Sequence, residues 1–517
     1  MSHLNKKYYT ETLGLPTSLL DLPERVLQFG TGVLLRGLPN YLMDKANKQG
    51  VFNGRAVVVK STSSDTSDFE NQDCLYTLHE RGVYDDGQAS ENQIVMTALS
   101  RVVNANTAWD AVLKCAENPA MQIIISNTTE VGLQYVEEDI FPEGIPSEQS
   151  SPKSFPAKLT AFLYKRFQFF KGTEESGMTV IPTELLVNNG KLLRGYVLKH
   201  AEHNKLPEDF SHWLNMDCDF CDSLVDRIVP GALSAEDRQK MTFEDNLAIQ
   251  AEPFLLWAVE GNGRVQDRLS FAKTDNRLVI TDDITPFREQ KLRVLNGGHT
   301  ISVPMAFLAG EKFVVDMMSH PLLGRFVERV ILDEIVPTLE GICDNAEAFA
   351  EAVINRFKNP FIAHKLLSIT VQCSSKMQSR NALTFQRYYE KYDKMPPLMS
   401  MGFAAYLLFS RPVKMKNGQY FGENLKTKES YPINDDKAAV LQEHWADVEG
   451  FSRPQLENLV KNIIADDRLF DDTLKNLPYF ASNIAFFLHE MVENGVLETL
   501  EKTAALQPTV VATLVAG

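Results

Sequence analysis

The sequence predicts an α/β N-terminal domain followed by a mainly α-helical C-terminal domain, and three observations carry that expectation. At 517 residues the chain exceeds what one compact core holds, so two or three domains are expected. From Arg25 to about Ile284, short β-branched runs alternate with helix-period segments, which is the α/β pattern. After Thr285-Pro286 almost every segment has helical periodicity. The boundary is therefore placed near residue 285, giving domains 1–285 and 286–517.

Val26-Leu27-Gln28-Phe29, Ala56-Val57-Val58-Val59, Ile123-Ile124-Ile125 and Leu278-Val279-Ile280 read as strands buried on both faces, because such runs lack the polar alternation of a half-exposed strand. Behind the first of them, Gly30-Thr31-Gly32-Val33-Leu34-Leu35-Arg36-Gly37 opens a helix expected to run to about Asn47. A helical stripe is expected to pass from Cys218 and Cys221 through Leu224, Val225 and Ile228. Thr285 caps, and Pro286 starts, the first helix of the second domain. His320 to Leu339 is predicted to be one helix with Phe326, Val330, Ile331, Ile335 and Val336 on its apolar stripe. The polar, Gly- and Lys-rich stretch from Arg411 to Lys437 reads as a surface loop or lobe.

With 52 Lys+Arg against 68 Asp+Glu the formal charge is −16, a field that repels phosphate backbones, so nucleic acid is not expected as a partner. An anionic substrate would then need a local cationic pocket. Met1 to Leu20 lacks the basic start and unbroken apolar run of a secretory signal. The longest apolar stretches, such as Gly402 to Phe409, are far below the ~18 residues that cross a bilayer. A soluble, cytoplasmic chain with no membrane partner is expected, and six scattered cysteines fit a reducing compartment.

A dinucleotide site needs one glycine for a tight turn after the first strand and another so that backbone can approach a pyrophosphate. Gly30 and Gly32 stand there, whereas the third fingerprint position holds Leu35, so the turn alone is equally compatible with a structural strand-to-helix connection. The second strand ends in Lys60-Ser61-Thr62 rather than an acid, and the nearest acid is Asp65. NAD is the expected cofactor, with NADP left open because Lys60 suits a 2′-phosphate. His200, His203, His212, Cys218 and Cys221 are residue types that bind zinc, but one Cys-x-x-Cys without a second pair is better read as core, and no metal is expected.

Lys291-Leu-Arg-Val-Leu-Asn296-Gly-Gly-His299 holds the candidate chemistry. On an α-helix Asn296 and His299 share a face, with Lys291 about 80° from His299, an offset that a lysine stem spans. Gly297-Gly298 puts a regular helix in doubt and permits close approach. Reducing a ketone without a metal needs a proton donor at the carbonyl oxygen and neutral donors for the developing charge. A desolvated lysine and a carboxamide supply these; the plain alternative is a lysine and a histidine on a helix surface.

These residues resemble the polyol-specific long-chain dehydrogenases, the mannitol dehydrogenase family. The likeness rests on the Lys-x4-Asn-x2-His spacing, the Gly30-x-Gly32-x3-Arg36 turn, Cys221-Asp-Ser-Leu-Val-Asp226-Arg227-Ile228 and Glu252-Pro253-Phe254, and covers about Glu24 to residue 500. Ser126-Asn-Thr-Thr-Glu130, Leu295-Asn-Gly-Gly-His299-Thr and the stretch Arg356 to Ile369 are similar to members acting on keto-uronic acids. The resemblance implies a Rossmann-like first domain and zinc-free, NAD-dependent interconversion of an open-chain keto-uronate and its aldonate. It implies Lys291 as general acid/base, Asn296 and Asn189 as donors to the carbonyl oxygen, His299 on a substrate hydroxyl, and Glu130 as a proton relay. Phe29, Gly30, Thr31, Gly32, Ser126 and Asn127 would hold the cofactor. Where mannitol- and mannonate-type members carry an arginine before Ile, this chain has Ser368-Ile369. Lys376 is therefore the first candidate for the substrate carboxylate or a neighbouring hydroxyl, followed by His364, Lys365 and Arg380. A monomer or weak oligomer is expected.

Overall fold

The β-branched runs at Val26, Ala56 and Ile123 pair side by side as strands of one parallel sheet. The computed structural model describes residues 2–62, 65–83, 88–129, 131–141 and 150–505. The chain divides into two compact units, Met1–Gly82 with Ser90–Thr285, and Val83–Ala89 with Pro286–Gly517. Numbering only the strands of the largest sheet, β1 is Glu24–Phe29, β2 Arg55–Lys60, β3 Leu99–Asn104, β4 Ile123–Ser126, β5 Thr179–Pro182 and β6 Asp219–Phe220. They lie in the order β3-β2-β1-β4-β5-β6, all parallel, which is the doubly wound dinucleotide-binding order.

β2, β4, β5 and the apolar run of β1 are buried, which accounts for their unbroken apolar stretches, whereas the edge strands β3 and β6 are partly exposed. Leu27, Phe29, Val57, Val59, Ile124 and Val180 point into one cluster with Trp109, Phe162 and Trp213. Their neighbours Val26, Ala56, Val58, Ile123, Ile125 and Ile181 point into another with Leu35, Leu42, Trp257 and Phe271. Register then places the functional edge: Phe29 pairs with Val59 and with Ser126, and Ser126 with Pro182. The residues that follow, Gly30, Lys60, Asn127 and Thr183, therefore leave the sheet at one level, at the carboxyl ends where ligands of such sheets bind.

Several local expectations are corrected. The helix after Gly32 is interrupted: Val33–Gly37 ends at Leu38, and Pro39–Lys48 begins anew, because Pro39 has no N–H to continue the ladder. Gly37 does the close-packing work of the missing third glycine, since a Cβ there would stand 2.9 Å from Val229 Cγ2. Cys218 to Ile228 is not helical; Asp219–Phe220 and Ser223–Asp226 are strands, the latter joining Leu256–Glu260 and Leu278–Thr281 in a separate small sheet. Of the two alternatives for Arg411 to Lys437 the structure has a lobe rather than a loop, an antiparallel meander of Lys414–Lys416, Gln419–Glu423 and Ser430–Ile433.

The second unit is predominantly helical. From Pro321 to Leu339 the expected stripe is kept, with Phe326, Val330, Ile331 and Ile335 buried, but the winding changes from α to π at Val330 and to 3₁₀ at Val336. The stretch from Thr285 to Ala309 changes likewise: α over Thr285–Gln290, π over Lys291–Gly297, α again over Gly298–Ala309.

Candidate active site

In the first unit a cleft of about 440 Å³ opens at the carboxyl ends of β1, β2 and β4, lined by Phe29, Gly30, Thr31, Gly32, Lys60, Asn127 and Thr128 among others. Gly30 holds φ +121°, and a Cβ on it would lie 3.1 Å from the Asn127 carbonyl oxygen, so the turn requires glycine. Gly32 has nothing within 4 Å of where its Cβ would be, which leaves room for a ligand against the backbone. Lys60, at the end of β2, gives its ammonium to Thr62 Oγ1 at 2.8 Å, while Asp65 is exposed and accepts from the Ser67 amide.

The loops behind this cleft are tied by a carboxylate that sequence reasoning missed. Glu184 is 2% exposed and accepts from Ser126 Oγ at 3.1 Å, the Thr128 amide at 2.8 Å and Thr128 Oγ1 at 3.0 Å. Burial pushes its carboxyl above the usual range. Ser126, expected to touch cofactor, is instead buried against Glu184, and Asn127, Thr128 and Thr129 face the cleft. Asn127 Nδ2 is held by Thr183 at 3.0 Å, to both its carbonyl and hydroxyl oxygens.

Asn189 is also corrected. Its carboxamide is 1% exposed; Nδ2 donates to the carbonyls of Pro182, Glu184 and Ser223, and Oδ1 accepts from the amides of Gly190 and Ser223. Both hydrogens are committed to the backbone, so Asn189 pins this loop to Ser223 and has none left for a substrate oxygen. Glu130 lies outside the described residues. The residues considered for zinc do not converge: His203 and His212 are exposed, and Cys218 and Cys221 are buried in different apolar clusters. Among the described residues no group of three or more His, Cys, Asp or Glu could hold a metal ion.

In the second unit Lys291 begins the π-helical segment that ends at Gly297. A π-helix closes i→i+5 hydrogen bonds, so residues five apart come onto one face, and Lys291 and Asn296 are five apart. The local winding thus brings positions 291 and 296 towards one face, where an α-helix would have turned them apart. Among the described residues no hydrogen bond is made to the Asn296 carboxamide, whereas its backbone carbonyl accepts from Thr300 Oγ1 at 2.8 Å. Gly297 allows a second π turn, Gln378–Ala382, to pack against this one: a Cβ would sit 2.8 Å from Asn381 Oδ1.

His299 stacks on Phe357 with ring centroids 3.9 Å apart and meets His364 edge-on at 5.6 Å. Its Nε2 is buried with no hydrogen-bond partner among the described residues. Burial, then the nearby His364, Arg356, Arg380 and Lys376, hold its imidazole well below the usual pKa, so the ring is neutral at physiological pH. Arg380 Nη1 donates to Thr300 Oγ1 at 3.0 Å, and Lys376 Nζ to the Ile369 carbonyl at 3.0 Å. Burial lowers both, and Arg380 adds to the effect on Lys376. The structure therefore gathers Asn296, His299, His364, Lys376 and Arg380. Lys365 is not among them; it is exposed and its backbone bridges Phe313. Thr300 follows Asn296 by four residues on the same face, a signal available in the sequence; Phe357 under His299 was not.

Residues 24–273 match the mannitol dehydrogenase Rossmann domain and residues 283–492 the mannitol dehydrogenase C-terminal domain. The chain belongs to the mannitol dehydrogenase family. As a member of the mannitol dehydrogenase family it is an NAD-dependent oxidoreductase acting on CH–OH groups. Among curated relatives in the family, an altronate oxidoreductase of Bacillus subtilis (strain 168) is 35% identical over 97% of this chain and 98% of its own length. Another altronate oxidoreductase, of Halalkalibacterium halodurans, is 34% identical over 93% of each. Two solved structures share the family fold: D-sorbitol dehydrogenase, with TM-score 0.74 and 22% identity, covering 97% of this chain and 100% of its own, and Pseudomonas fluorescens mannitol 2-dehydrogenase, with TM-score 0.67 and 23% identity, covering 98% and 100%.

The cleft at Gly30 fits a dinucleotide on its own geometry, because the positive-φ turn and the open flank of Gly32 leave backbone where a pyrophosphate can approach. Phe29 to Gly32 and Asn127 line that cleft and would hold the cofactor there.

Proposed function

We propose that this chain catalyses the reversible, NAD-dependent and metal-independent reduction of D-tagaturonate to D-altronate, in the cytoplasm, as a monomer or weak oligomer. The observation that carries the reading is the cationic cluster around neutral His299, on the helix that also bears Lys291 and Asn296, in a protein whose net charge is −16. An acidic sugar needs such a local reversal of sign. Full-length similarity to altronate oxidoreductases supports the same substrate class. Among the described residues no helix is long and apolar enough to cross a membrane, in keeping with a water-soluble substrate.

NADH, when bound, supplies the hydride. Lys291 donates a proton to the substrate's carbonyl oxygen in reduction and removes it in oxidation, with Glu130 as its relay to solvent. The Asn296 carboxamide, uncommitted elsewhere, donates to the same oxygen as negative charge develops there. Neutral His299 positions a hydroxyl, since its buried Nε2 has no hydrogen-bond partner among the described residues. Carbonyl polarisation by Asn189 is not part of this scheme.

The test is NADH and NADPH oxidation against tagaturonate, fructuronate and fructose, with and without a chelator. The reading expects the highest kcat/KM with tagaturonate and NADH, unchanged by the chelator. Preference for fructuronate or fructose would assign the chain to another activity of its family.

A further inference from the structure

Arg380 carries a half-buried guanidinium. Among the described residues only its Nη1 is engaged, by the neutral oxygens of Thr300 at 3.0 Å and the Asn296 backbone at 3.5 Å. Among the described residues Nε and Nη2 make no hydrogen bond and no carboxylate pairs with the group. A guanidinium partly withdrawn from water without a counter-ion is favoured further when an anion arrives, so such an arginine marks a place where an anionic ligand group can pair.

Its position is held by neighbours rather than by chance. The π turn Gln378–Ala382 is fastened by Arg293, whose Nη1 donates to the carbonyls of Ser379 at 2.8 Å and Arg380 at 2.9 Å. Gly297 lets that turn pack against the segment bearing Lys291 and Asn296. Arg293 itself is neutralised by Glu289, as is Arg387, so that carboxylate is already shared by two other arginines. Lys376 is weaker as an anion ligand, because its ammonium is tied to the Ile369 carbonyl and presents a point charge rather than a fork.

We infer that Arg380, through its free Nε–Nη2 edge, binds the carboxylate of the sugar acid and is the residue that makes the enzyme select keto-uronates over neutral ketoses. The inference rests on the proposed activity for its substrate and adds the group that reads the acid. Thr300 orients the guanidinium one helical turn beyond Asn296, so carboxylate and ketone are addressed from the same helix face at opposite ends of an open-chain acid. Lys376 adds charge to the pocket without fixing geometry.

The experiment compares kcat/KM for tagaturonate with that for D-tagatose, its neutral counterpart, in the wild type and in Arg380→Met and Arg380→Lys, with fluorescence titration of NADH on each. The ratio is expected to fall at least a hundredfold in R380M, chiefly through the KM of the acid, and to recover in part in R380K, with NADH affinity within twofold throughout. Equal losses on both sugars, or a loss confined to kcat, would overturn the assignment; R380K alone serves if R380M does not fold. The wild-type substrate panel fails independently: if another keto-uronate proves to be the substrate, the same ratio is measured with that acid and its neutral analogue.

Discussion

His200 is 1% exposed, both of its ring nitrogens are buried without hydrogen-bond partners among the described residues, and its ring lies 4.6 Å from Tyr135. Burial pushes its pKa down to about 4, so the folded protein holds it neutral. The sign follows: above the ordinary histidine value near 6.5 this costs nothing, and as pH falls from there towards 4 the unfolded chain gains a proton that the folded one refuses. About 3 kcal/mol of stability is therefore lost across that window. His200→Leu should flatten the fall of Tm between pH 6.5 and 4.5; parallel curves for wild type and variant would show that His200 is not the group responsible. His299 carries a shift of the same direction for a different purpose, since its neutrality leaves the adjacent cations free for an anion.

At the scale of elements, the π winding of Lys291–Gly297 and its contact with Gln378–Ala382 form the part of the site most sensitive to a single atom. In an open helix Gly→Ala would add roughly 0.5–1 kcal/mol of stability. At Gly297 the new Cβ would instead meet Asn381 Oδ1 at 2.8 Å and the Arg380 carbonyl at 3.4 Å. Gly297→Ala is expected to cost about 1–3 kcal/mol by crowding. It should also lower kcat/KM at least tenfold while NADH titration is unchanged, because the cleft at Gly30 belongs to the other unit. A variant as stable and as active as the wild type would mean that the two π turns do not need this contact.

At the scale of the molecule, what the sequence made legible was whatever local pattern dictates. Runs such as Ala56–Val59 could only be strands covered on both faces, and the Gly30–Gly32 turn announced the cleft. The mainly helical second unit followed from periodicity alone. Illegible were features set by partners distant in the chain. Asn189 and Ser126 have the residue types of ligand donors, but Ser223 and Glu184 consume them. Lys365 sits beside His364 in sequence and still faces solvent. The π winding that carries Lys291 and Asn296 packs against residues more than eighty positions away, which an ideal helical wheel does not contain.

In the proposed reaction the ammonium of Lys291 delivers the proton to the substrate oxygen. Its most direct test is Lys291→Ala, with steady-state turnover on the keto-uronate measured beside fluorescence titration of NADH. Turnover is expected to fall at least about a hundredfold, with partial rescue by an added primary amine and NADH affinity unchanged. Turnover within a few-fold of the wild type would contradict the account.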